Sequence, residues 1–419
     1  MRRFAALVAL FGLAVAAGCQ RTPAPPSAPV APSWHPYDLG AHHRPITTAS
    51  PEAQRAFDQG LIWAFAFNHD EAQRAFEEAA RLDPGCAMAH WGIALVNGPH
   101  FNNPIVDAEH AKAAWDALQQ AKALAGAASP VERALIEALE ARYAWPQPED
   151  RAPLDAAYAQ AMAGVRERFP QDADVATLYA EAVMDTRPWD QWTHDGQPQP
   201  GTAEVLAALD AALAIAPDNP GALHLTIHAL EASPQPERAA EAADRLRTLV
   251  PDSSHLLHMP SHIDVRLGQW AKAAAVNELA AAADARYAAR QPQIGFYRLY
   301  MAHNIHFIVF TAMMEGRREV ALENALKYDE PPPWTTPSRH ALGAVLLEAK
   351  RPADAEAFYR ADLKRYPRNG WSLWGLERAL EAQGRDADAA AVKAQFDATW
   401  SRADTKMVSS CLCVRPGRG

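Results

Sequence analysis

The sequence predicts an all-α protein, a right-handed α-solenoid of stacked helix pairs, on three observations. Alanine is abundant and β-branched residues are sparse in a chain of 419 residues that is 49% apolar, a composition that suits helices. Glycine, alanine, aromatic residues and proline recur at a spacing of about 34 residues, which marks a repeated helix–turn–helix unit. The stretches that break this rhythm, notably Asn97–Asp107 and Pro188–Pro200, collect the Asn, Pro and Gly of long loops.

Taken in order, residues 1–19 read as a secretion signal. Arg2 and Arg3 form a basic start and Phe4–Ala17 a short apolar run, too short to span a bilayer. Ala16-Ala17-Gly18-Cys19 resembles the lipobox of bacterial lipoproteins, with Ala16 where that family prefers Leu. The resemblance implies lipidation at Cys19; plain cleavage near Ala17 is the alternative. Residues 20–36 are a Pro/Ala-rich tether, centred on Thr22–Ser33, that cannot pack a core. With no later segment apolar enough to cross a bilayer, the body is expected outside the cytoplasm, lipid-anchored to a bacterial membrane and periplasmic. The net charge of −10, without a basic stripe, excludes nucleic acid as a partner.

The body, 45–405, carries the repeat. Ala53–Cys86 contains Gly60, Trp63, Ala72, Phe76, Ala79 and Pro84. Small residues let two helices approach, aromatics fill the gap, and proline stops the second helix. This spacing resembles the tetratricopeptide repeat, with Gln59 where Leu is usual. Degenerate units close at Pro170 (after Met162 and Val165), Pro217 (after Val205, Leu209 and Ala212), Pro251 (after Ala239 and Leu246) and Pro367 (after Ala355 and Tyr359). Second helices are expected to open at Gly268–Ala273, Gly316–Ala321 and Gly384–Ala389, giving roughly eight to ten pairs. The stretches NHDEAQRAFEEAARLDPGCAMAHWGIAL, HALEASPQPERAAEAADRL and HMPSHIDVRLGQW are similar to a group of bacterial tetratricopeptide-repeat lipoproteins, which implies fold and assigns no activity. A tail, 406–419, holds Cys411-x-Cys413; with Cys86 and Cys19 these are the cysteines, and a disulfide to Cys86, an exposed tail or a metal role all fit.

Histidine carries the functional signal. Seven of sixteen histidines fall within Gly221–His306. In a tetratricopeptide array, positions two, five, nine and twelve of the first helix face the concave groove. A unit starting at Pro220 places His224, His228 and Glu231 on positions five, nine and twelve. One starting at Ser254 places His255, His258 and His262 on two, five and nine; one starting at Ala302 places His303 and His306 on two and five; His340 is fifth in the unit closed by Pro367. A stripe of imidazoles one helical turn apart can bind one or two transition metals, Zn, Cu or Fe, with Ni also compatible. Met259 and Cys411/Cys413 favour copper slightly. Glu231 is a candidate ligand, orienter or general base. The Met259-Pro260 break could aim His258 and His262 inward. Asn102 and Asn103 could reach the groove from their loop, whereas His69 and Asp70 sit at a turn where capping suffices.

No nucleophile motif, phosphate loop, dinucleotide fingerprint or haem Cys-x-x-Cys-His is present, so any catalysis is expected to be metal-based. Three functions remain open: a His-rich metal centre for hydrolysis, redox chemistry or metal handling; metal storage or delivery; and a scaffold binding a peptide or partner protein in the groove. Peptide-binding grooves favour Lys, Arg, Asn and aromatics, and the histidine lining separates the first two from the third. Recognition of an acidic ligand, or a titratable switch, are the non-metal readings of the same stripe.

Overall fold

The computed structural model describes residues 37–291, 293–315 and 338–410. The signal, the tether, the Gly316–Ala321 turn, Cys411 and Cys413 lie outside the described residues. What is described is helical, with isolated bridges at His100–Asn103 and Trp192–Pro198 and no strand among the described residues.

The helices are α1 (Pro51–Phe65), α2 (His69–Leu82), α3 (Ala87–Val96), α4 (Ala108–Leu124), α5 (Pro130–Glu140), α6 (Ala152–Arg168), α7 (Ala173–Asp185), α8 (Thr202–Ile215) and α9 (Pro220–Glu231). There follow α10 (Ala240–Leu246), α11 (Ser254–His258), α12 (Pro260–Arg266), α13 (Trp270–Arg290) and α14 (Arg298–Glu315). The last are α15 (Ser338–Glu348), α16 (Pro352–Arg365), α17 (Gly370–Glu381) and α18 (Asp386–Thr399). Neighbours in sequence pack on one another, as in an α-solenoid.

The repeat has a visible packing device. Phe76 on α2 is wedged between Gly60 and Gly92, where a Cβ would stand 2.6 and 2.5 Å from its ring. Tyr359 on α16 is wedged between Gly343 and Gly375 at the same sequence offsets, with a Cβ at 2.5 and 2.2 Å. Glycine at these places lets the flanking helices close on an aromatic ring, which is why the pattern reads in the sequence. At the start of the tail Met407 is buried and the Ser410 hydroxyl lies 2.5 Å from that of Tyr359.

The inner face is also not an open groove. In an ideal solenoid each repeat touches only its neighbours, but here α1 packs against α9. Gly221 makes this contact possible, since a Cβ there would lie 2.6 Å from the Phe65 ring and 2.9 Å from the Thr177 methyl. The segment ahead of α1 seals the seam. The Tyr37 amide donates to Gln59 at 2.9 Å, and Asp38 and Asp252 exchange amide contacts at 2.9 and 3.0 Å. Arg44, itself buried, reaches Asp172 at 2.8 Å and Asp174 at 3.2 Å. Burial disfavours its charge, but the two carboxylates outweigh this and raise its pKa. As a result every residue from Pro220 to Leu230 is buried.

Helix α14 is tied to α13 by Asn304, which donates to Asp284 at 2.8 Å. Burial pushes the Asp284 carboxyl up to about 6, against the charge-favouring contacts of Ser254 and Asn304.

Two tests follow from these contacts. Gly221→Ala should lower stability by roughly 1–3 kcal/mol, because the ring or the helix must move to admit the methyl; denaturant unfolding measures it. Asp284 binds its proton more tightly folded than unfolded. Wild-type stability should therefore fall, relative to Asp284→Asn, as pH rises from about 4 through about 6, by up to roughly 3 kcal/mol. Urea unfolding of both proteins at pH 4.5 and 7.5 isolates the difference.

Candidate metal centre

Two helix-borne triads of histidine converge in the closed interior. The first comprises His224 and His228 on α9 and His255 on α11, with one ring nitrogen from each lying within 4.8 Å of the others. All three are buried, at 0%, 3% and 2% exposure. The Nδ1 of His224 lies 2.6 Å from the Phe65 carbonyl, an acceptor only, so Nδ1 carries the proton and Nε2 is left as a lone pair. His228 is fixed in the same way, Nδ1 to Glu231 Oε1 at 2.8 Å. The Nε2 atoms of both, and both nitrogens of His255, are buried with no hydrogen-bond partner. Leaving such a group unmade costs about 1–3 kcal/mol. Burial of an aliphatic side chain contributes about 1.5–3 kcal/mol, so Leu223, Leu225, Ile227 and Leu230 on the same buried helix offset that cost.

The second triad is His258, His262 and His303, with one nitrogen each again within 4.8 Å. Asn277 donates its amide to the Ala273 carbonyl at 2.8 Å, which turns its Oδ1 toward His258 Nδ1 at 2.6 Å. His262 Nδ1 lies 2.5 Å from Glu231 Oε2. Both rings therefore hold their proton on Nδ1 and present Nε2 lone pairs to each other at 2.8 Å. Two lone pairs at that range repel unless a proton or a metal ion lies between them. Ligand nitrogens of a tetrahedral ion with bonds near 2.0–2.1 Å stand about 3.3 Å apart, so the two rings would part by about half an ångström around an ion. The chain reaches this arrangement through the Met259-Pro260 break: α11 ends at His258, α12 begins at Pro260, and Met259 keeps helical angles between them.

Glu231 joins the two triads. One oxygen accepts from His228 and the other from His262, while its main-chain carbonyl accepts from Arg266. Burial would raise its pKa, but His262 and His228 outweigh that and hold the carboxyl well below the usual range. Burial favours the neutral form of His224, His228, His255, His258 and His303. It draws His224, His255 and His258 well below their ordinary values, with neighbouring imidazoles adding to the effect, and takes His303 down to about 3. Neutral imidazole with Nδ1–H donated to a fixed acceptor is the form that ligates metal through Nε2. Three nitrogens per centre leave a coordination position for a small ligand, and an all-imidazole set suits Zn, Cu, Fe or Ni.

The remaining candidates sit elsewhere. His306 is half-buried on α14 and belongs to neither triad. His340 is buried on α15, accepting from Asn369 at 3.2 Å beside Trp371. The Asn102 amide donates to His100 Nδ1 at 3.3 Å, and its side chain faces the Tyr300 hydroxyl without closing a hydrogen bond. Asn103 lines a cavity of about 240 Å³. Asn68 caps α2 by accepting from the Glu71 amide at 3.2 Å, as the turn chemistry suggested. Cys86 is a buried free thiol.

Sequence reasoning missed Phe67 and His100. Asn68 N–H bonds to the Trp63 carbonyl at 3.0 Å and Phe67 N–H to that of Ala64 at 2.9 Å. This is the Schellman ending of a helix, which normally takes glycine at the residue with positive φ. Here that residue is Phe67, at φ 54°, a conformation costing on the order of 1–3 kcal/mol. Its ring centre lies 4.6 Å from those of His224 and His100 and 5.9 Å from those of His228 and His255. A bulky residue at a glycine position was the available signal. Trp189 and Phe101 cover His228 from another side, at 5.3 and 5.1 Å.

No family model and no curated protein matches the chain. Among solved structures, human IFIT1 bound to m7Gppp-AAAA is 13% identical, with 84% of this chain and 90% of that one covered and a TM-score of 0.27. The P58(IPK) TPR domain is 14% identical, with 83% and 92% covered and a TM-score of 0.25. Yeast Tom70 is 11% identical, with 85% and 86% covered and a TM-score of 0.26. At these values the likenesses carry no argument about function.

Proposed function

We propose that this protein is an extracytoplasmic metalloprotein that holds two transition-metal ions, one at His224/His228/His255 and one at His258/His262/His303. The observation that carries this reading is that four of these six imidazoles donate Nδ1–H to a fixed acceptor and turn Nε2 into the triad. A core histidine kept only for packing has no need of an acceptor behind it and bare lone pairs in front. In this reading Glu231 orients one ring in each triad, so that binding at one centre steadies the other. Three ligands per ion leave room for metal-dependent chemistry on a small molecule, and the protein supplies neutral nitrogens on helices and a largely dry interior. A scaffold role toward a protein partner stands as the alternative. The burial of the histidines argues against a peptide reading them directly.

We further propose that Cys19 is lipidated and that the Pro/Ala tether holds the body at a membrane surface. This rests on the basic start, the short apolar run and the lipobox-like Ala16-Ala17-Gly18-Cys19. No helix among the described residues is long and apolar enough to cross a membrane.

Untagged protein analysed for metals after gel filtration should carry about two equivalents of a transition ion. His224→Ala with His258→Ala should carry none while keeping its helical circular dichroism, and Glu231→Gln should lose roughly 10–100-fold in affinity. Wild-type protein without tight binding of added Zn, Cu or Fe would return the chain to the scaffold class. Separately, Cys19→Ser should move the protein from the membrane fraction to the soluble one; continued membrane association would rule out the anchor.

A further inference from the structure

The first triad is sealed from solvent, so an ion needs a way in. On the far side of Phe67 lies the cavity of about 240 Å³, walled by Phe67, His69, Asp70, His100, Asp107 and His110 among others. Phe67 borders both spaces: its ring centre lies 4.6–5.9 Å from three imidazoles of the triad, and the residue lines the cavity. His100 stacks on that ring at 4.6 Å, and its own ring centre lies 4.4 Å from that of His69. At the outer rim Asp107 and His110 pair at 2.8 Å and are exposed.

We infer that this cavity is the loading route of the buried centre, where a divalent transition-metal ion pauses on His69 and His100 before passing the Phe67 ring to reach His224. The inference rests on the metal-centre reading above and adds to it a transient site and a gate. Carboxylates at the rim attract a cation; His69 offers it an imidazole nitrogen, and His100 does so when its Nδ1 gives up the Asn102 amide. Burial keeps both inner rings neutral, taking His69 to about 3 and His100 well below its ordinary value. The positive φ of Phe67 has a place in the same account. Glycine would satisfy the Schellman turn without strain, but only a side chain can part the cavity from the triad.

The test is stopped-flow loading of metal-free, full-length protein with Zn2+, followed by a chromophoric chelator. The phase to watch is the one lost in His224→Ala. Phe67→Gly suits the turn, and should speed both loading and release in that phase at least tenfold with two zinc ions still bound. His69→Leu with His100→Leu, which keeps an apolar wall against Phe67, should slow loading at least threefold at unchanged stoichiometry. Rates within twofold of wild type in both variants, with two zinc ions bound, would overturn the route and leave the metal centre standing. A wild-type protein that takes up no zinc, copper or iron would overturn both.

Discussion

The interior of this protein depends on the carboxylate of Glu231. Its two oxygens accept from His228 and His262, which belong to different triads and different helices. Arg266 holds the same residue by its main-chain carbonyl and reaches the Ser233 carbonyl at 3.0 Å. A buried carboxylate is costly unless it is hydrogen-bonded and faces positive charge or donors. Here two imidazole N–H groups supply the donors, and the cost of burial is answered by the groups it orients. The same contacts fix which nitrogen of His228 and of His262 carries the proton, one ring in each triad.

That arrangement requires closure of the helical array. An open solenoid would leave the stripe in water, where imidazoles titrate near neutrality and their rings turn freely. Packing α1 on α9 through Gly221 and Phe65 brings a main-chain carbonyl to His224 and removes solvent from the triad. The fold thereby converts a repeat architecture, whose surfaces commonly meet other proteins, into one with an enclosed polar core. Aliphatic residues on the back of α9 supply the burial that makes such a core affordable.

The two triads differ in access. His224, His228 and His255 are sealed behind aromatic rings, whereas His262 and His303 retain some exposure. Glu231 is hydrogen-bonded to a ring of each triad. The strained turn at Phe67 belongs to the inner centre alone.

Much of this was legible in the sequence, for physical reasons that can be named. Helix pairs declare themselves because Gly60, Phe76 and Pro84 each do a local steric job. The histidines and Glu231 declare themselves because helical periodicity puts positions one turn apart on one face. The break at Met259-Pro260 is equally local. The division into two triads, the closing of the groove, the displacement of His340 to another packing layer and the roles of Phe67 and His100 were not legible. Those depend on which helix meets which between parts of the chain distant in sequence, as far as residues 65 and 224. The acceptor behind His224, for instance, is a main-chain carbonyl that any residue at position 65 would provide. Local chemistry wrote the stripe into the chain, and only the tertiary packing of α1 on α9 made it a buried site.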